Sequence, residues 1–70
     1  MKDQYKVMIS SDSNYEKLVA EIYCNEDLIA QVIQDEGFDK LQIKTFDSAF
    51  LMNLEEFNSA IVSAVNKLKN

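Results

Sequence analysis

Apolar and polar positions alternate along Tyr5-Lys6-Val7-Met8-Ile9-Ser10, with Tyr5, Val7 and Ile9 on one side. Alternation at period two predicts a half-buried strand. Ser11-Asp12-Ser13-Asn14 follows, a turn cluster whose short side chains bond their own backbone. Alternation resumes from Tyr15 to Cys24: Leu18, Ala20, Ile22 and Cys24 share one face, and Lys17, Val19, Glu21 and Tyr23 the other. The run Leu28–Gln34 fits two elements. As a third strand it is joined by a three-residue turn, Asn25-Glu26-Asp27. As a helix it is capped by Asn25, striped by Ile29, Val32 and Ile33, and ended by Gly37. The hairpin is favoured, because the run is short and β-branched and pairs its apolar residues with those of the preceding strand. Asp35-Glu36-Gly37 is then a turn, and Leu41–Phe46 a further strand.

The last element reads as a helix from Leu54 to Lys69. Asn53 can cap it, with Glu56 placed to reach back in a capping box, and Met52 and Phe57 stand where a hydrophobic staple puts them. Leu54, Phe57, Ile61, Ala64, Val65 and Leu68 make one stripe at helical spacing. Glu55 and Glu56 complement the positive end of the dipole, and Lys67 and Lys69 the negative end. The expected fold is therefore a single α+β domain spanning 1–70: an antiparallel meander of about four strands with a C-terminal helix on one face.

A three-residue turn sets Cys24 against Leu28, Ile22 against Ala30, Ala20 against Val32 and Leu18 against Gln34, an apolar face that suits a helix. The opposite face pairs Tyr23 with Ile29, Glu21 with Gln31 and Val19 with Ile33. One helix shelters only one side of a sheet. Val19, Tyr23, Ile29 and Ile33 are therefore expected to be exposed together, and a contiguous apolar patch marks an interface. Alternatively the connection 47–52, with Phe50 and Leu51, folds over that face and closes it. Part of Ala49-Phe50-Leu51-Met52 is expected beneath the helix, and Phe50 is a second candidate contact.

Composition narrows the chemistry. The chain has 70 residues with twelve Asp plus Glu, seven Lys, no Arg and no His, for a formal charge of −5. Without His the usual general base and the commonest metal ligand are missing. Cys24 is the only cysteine, which removes zinc clusters, C-x-x-C redox pairs and an internal disulfide. It is expected to be a small buried side chain, the alternative being an intermolecular disulfide. Gly37 is the only glycine, so neither a dinucleotide fingerprint nor a P-loop can be written. No EF-hand loop is present. Adjacent carboxylates at Glu26/Asp27, Asp35/Glu36 and Glu55/Glu56 fit turns and a helix start better than a catalytic pair. Ser10, Ser11 and Ser13 have no His to activate them. The expectation is a protein that is not an enzyme and uses no cofactor or metal. No run approaches the roughly 18 apolar residues of a membrane span, and no signal-peptide core follows Met1, so a cytoplasmic setting without membrane association is expected.

Seven dispersed lysines disfavour direct binding to nucleic acid, which needs clustered cations. The carboxylates keep a small domain soluble. They also allow a second role, an acidic mimic of nucleic acid that blocks a basic groove on another protein. Tyr15-Glu16-Lys17-Leu18-Val19-Ala20-Glu21-Ile22-Tyr23, Gln34-Asp35-Glu36-Gly37 and Asn53-Leu54-Glu55-Glu56-Phe57 together resemble a group of short, uncharacterised bacterial proteins associated with integrative mobile elements. That resemblance implies strands followed by one C-terminal helix, and an accessory or host-countering role. It implies no activity and no functional residue. The leading expectation is a non-enzymatic protein-interaction module, an accessory or inhibitor protein that meets a protein partner or a second copy of itself through the exposed sheet face.

Overall fold

The computed structural model describes residues 4–46 and 53–70. Strands β1 (Tyr5–Ser10), β2 (Val19–Cys24), β3 (Asp27–Ile33) and β4 (Gln42–Thr45) form an antiparallel sheet in the order β1-β2-β3-β4, and helix α1 (Leu54–Lys69) packs on one face of it. This is the expected α+β meander, and residues 28–34 take the extended alternative. A short 3₁₀ turn, Phe38–Lys40, precedes β4 and was not anticipated.

The β2–β3 hairpin differs from the expected three-residue turn. Its turn is Asn25-Glu26, both at positive φ (52° and 73°), the signature of a type I′ connection, and Cys24 pairs with Asp27. Tyr23 then pairs with Leu28, and the register shifts before Ile22 meets Ala30. The extra residue is Ile29. Downstream of this bulge the anticipated pairs Ile22–Ala30, Glu21–Gln31 and Ala20–Val32 are all present. A bulge lets two successive side chains lean to one side. Ile29 accordingly joins the core under the helix with Ala20, Ile22, Cys24, Ala30 and Val32.

Helix α1 begins where the sequence placed it. The Asn53 side chain accepts the Glu56 N–H at 3.0 Å and so satisfies one of the unpaired N–H groups of the first turn. Met52, the other half of the anticipated staple, lies outside the described residues. Ala60 and Ala64 are buried, flanked by half-buried Phe57, Ile61, Val65 and Leu68. Leu54 is a correction: it is 74% exposed and stands off the packed stripe. The helix lies mainly over β1 and β2, with lighter contact to β3. Small residues at the contact allow the helix to sit close to the sheet. Cys24 is buried at 4% exposure, as anticipated.

The other sheet face is not the open patch that the pattern suggested. Val19, Ile29 and Ile33 are 0%, 3% and 4% exposed within the single chain, and Tyr23 is half-buried. Ile29 has gone to the helix side. Over the rest, the connection 11–18 bends across the face instead of extending β2 back to Tyr15. Asp12 drives the bend. One carboxylate oxygen accepts the Asn14 N–H at 2.9 Å, and the other accepts Gln31 Nε2 at 3.1 Å. At the far end, Asp35 accepts the N–H groups of Glu16 (3.1 Å) and Lys17 (3.0 Å), and Gln34 Nε2 donates to the Leu18 carbonyl at 2.8 Å. The expected roof, the connection 47–52 with Phe50 and Leu51, lies outside the described residues.

Candidate docking groove at the β1 edge

The antiparallel register decides which peptide groups of β1 are spoken for. Gln4 accepts the Asn25 N–H through its carbonyl at 2.8 Å, so Gln4 turns its backbone toward β2. Direction alternates along a strand. Lys6, Met8 and Ser10 therefore bond to Tyr23, Glu21 and Val19, and Val7 and Ile9 turn their N–H and C=O outward. A contact from the helix agrees: Lys67 Nζ donates to the Val7 carbonyl at 3.4 Å. β1 is thus an edge strand of six residues with outward-facing peptide groups.

Beside that edge runs a groove of about 590 Å³ lined by Tyr5 and Val7 from the sheet and by Glu55, Glu56, Ser59, Ala60, Ser63 and Lys67 from the helix. The helix wall is cut low by Ser59, Ala60 and Ser63, at one-turn spacing, and the groove carries carboxylates toward one end and an ammonium toward the other. The other edge is different. β4 has only four residues, all exposed, and the helix makes no comparable contact with it.

A second depression, about 920 Å³, opens on the far face around Gln4, Lys6, Met8, Tyr23, Asn25 and Glu26. Among the described residues, Tyr23 is the predicted contact residue that still borders an open surface. Its hydroxyl donates to Glu21 at 3.1 Å, and Glu21 also accepts Gln31 Nε2 at 3.4 Å. Gln31, 3% exposed, thus holds two carboxylates through one amide. The Glu21 bond stabilises the neutral phenol and raises the Tyr23 pKa above 10.0, with burial adding to it. The Asn14 N–H, then the Gln31 amide, hold the Asp12 carboxyl below its ordinary 3.8. These groups are positioned as a latch for the connection 11–18.

The described residues contain no cluster of three or more His, Cys, Asp or Glu that could hold a metal ion. No described helix is long and apolar enough to cross a membrane. Sequence reasoning missed the β1–α1 groove because it counted faces and not edges. The signal was present in the Glu56, Ser59, Ala60, Ser63, Lys67 flank beside the apolar stripe. No protein family model, curated protein or solved structure matches this chain.

Proposed function

We propose that this chain is a non-enzymatic protein-interaction module that takes an extended segment of another polypeptide onto the β1 edge. The observation that carries this is the pairing of outward-facing peptide groups at Val7 and Ile9 with a low helix wall of Ser59, Ala60 and Ser63. Strand addition draws its affinity from main-chain hydrogen bonds and its specificity from pockets for alternate side chains. Here the main-chain partners come from β1, and the pocket lies between Tyr5, Val7 and the helix. The role is the one expected from the sequence, moved from a sheet face to a sheet edge. An accessory or inhibitor role of the kind implied by the mobile-element resemblance is compatible with such a module.

The acidic-mimic alternative is less well supported. Asp12 and Asp35 already accept hydrogen bonds that hold the connection 11–18, and Glu55 and Glu56 begin the helix. Lys6 and Lys44 stand among the carboxylates of the far face, through register with Tyr23 and Gln31.

The test is selection of extended peptides from a random library on the immobilised protein, followed by Val7→Pro. Proline removes one outward N–H and is tolerated at sheet edges. Peptides that shift the amide resonances of Val7, Ile9, Ser59 and Ser63, and that lose about tenfold or more in affinity with Val7→Pro, are the expected result. Binding that maps to Tyr23 and Met8, or that ignores Val7→Pro, would contradict it. Binding that collapses with salt and survives Val7→Pro would favour the acidic mimic.

A further inference from the structure

Resting on that edge-docking assignment, the geometry points to a specific occupant: we infer that a second copy of this chain fills the groove, in a two-fold dimer. In such a dimer the two β1 strands pair antiparallel and the two α1 helices lie antiparallel on the same face of one continuous sheet. An isologous interface must be self-complementary, because each surface meets its own copy reversed. The groove meets that condition in three ways.

The first is the helix seam. Glu56, Ala60, Ser63 and Lys67 follow one another at spacings of four, three and four, which read the same in both directions. Turned end to end against itself, the seam sets Glu56 of one protomer against Lys67 of the other, twice over, and Ala60 against Ser63. Carboxylate meets ammonium at both ends, and the middle of the seam is kept low by half-buried Ser63 beside Ala60, which is already packed on the protomer's own sheet. An unreversed pairing would set Glu56 on Glu56 and Lys67 on Lys67.

The second is the strand. β1 can pair antiparallel with its own copy about Lys6, Val7 or Met8, near the middle of the strand. A Lys6 centre sets like charges opposite each other, which destabilises a ladder. A Val7 centre exchanges N–H and C=O between the two Val7 residues, and a Met8 centre exchanges them between Val7 and Ile9. Both use only outward-facing groups and carry no like-charge pair.

The third is Lys67. In the single chain its ammonium sits on the Val7 carbonyl at 3.4 Å, covering the edge. In the dimer that carbonyl takes an outward-facing N–H of the second copy's β1, and the released ammonium is the group the seam sends to Glu56. One side chain guards the edge in the free protomer and closes the interface in the dimer. The small size of the domain adds a motive, since a chain of this length with a single cysteine gains support from oligomerisation.

The test is sedimentation equilibrium of the full chain from micromolar to millimolar, with Glu56→Lys, Lys67→Glu and the double exchange E56K/K67E, each checked for helix content by circular dichroism. A monomer–dimer equilibrium is expected. Each single reversal should weaken it by about tenfold, and the double exchange should restore it to within about threefold, because the pairs are re-formed with opposite sense. A monomer at millimolar concentration overturns the inference, and so does a dimer indifferent to the charge reversals. The two levels separate cleanly. A monomer that still binds selected peptides in a Val7→Pro-sensitive way sinks the second copy alone. A monomer that binds none sinks the docking groove as well.

Discussion

Val19→Ala asks directly whether the far sheet face is closed by the chain itself. Val19 is 0% exposed, between the Ala20–Val32 pair and the end of the connection 11–18. The substitution removes two methyl groups, a transfer loss of about 1.6 kcal/mol at roughly 0.8 per group. It leaves roughly 50 Å³ that the neighbours only partly fill, adding about 1 kcal/mol at roughly 24 cal/mol per Å³. The expected cost is about 2–3 kcal/mol, a large share of the total stability of about 4–10 kcal/mol for a chain of 70 residues. Urea unfolding followed by circular dichroism should show the midpoint falling by about 2 M, at a slope near 1 kcal/mol/M for a domain of this size. Val62→Ala is the matched control: Val62 is 59% exposed on α1, and its truncation should cost under about 0.5 kcal/mol. Equal small effects at both positions would refute the closed face and return Val19 to the surface.

The connection 11–18 is held at its end by Asp35, and Asp35→Ala should cost about 1–2 kcal/mol, because the Glu16 and Lys17 N–H groups lose their acceptor. The check is urea unfolding, and an unchanged midpoint would release that segment from its assigned role. Asp12 has its folded-state pKa depressed below 3.8, so its contribution to stability is present above that value and is lost as pH falls through the lower folded value. Asp12→Asn should flatten the acid limb of a stability-against-pH profile, and an identical limb would exclude the latch. Tyr23 has its pKa raised above 10.0, so its contribution is complete below 10.0 and is lost as pH rises through the folded value. Its Cζ resonance should titrate at lower pH in Glu21→Gln, and no change would remove Glu21 as the cause.

The strands and the helix were legible in the sequence because their signals are local. β1 shows clean alternation, and α1 carries a cap, a stripe and charges matched to its dipole, so Leu54–Lys69 was placed without its surroundings. The hairpin turn was not, because Asn25-Glu26 lacks the glycine that usually marks two residues at positive φ. That single difference, absorbed by the bulge at Ile29, turned one side chain of the imagined patch to the opposite face. Val19 and Ile33 were placed on the correct face, but both are buried there, on the face where the polar connection 11–18 is tied to Gln31. Nothing in Ser11-Asp12-Ser13-Asn14 announces that Asp12 will reach Gln31, since that contact joins residues 19 positions apart. The groove at the β1 edge was hidden for a related reason. Which edge a helix leaves open depends on where it crosses the sheet, and periodicity fixes only which side of the helix faces it.

Amide hydrogen exchange of β1, residue by residue and at rising protein concentration, bears on the edge most directly. The N–H groups of Lys6, Met8 and Ser10 point to β2 and should be protected at every concentration. Those of Val7 and Ile9 should exchange freely in dilute solution and slow as concentration rises into the millimolar range. Val7 and Ile9 amides that stay fast throughout, or that are already slow when dilute, would contradict an open edge filled by a second chain.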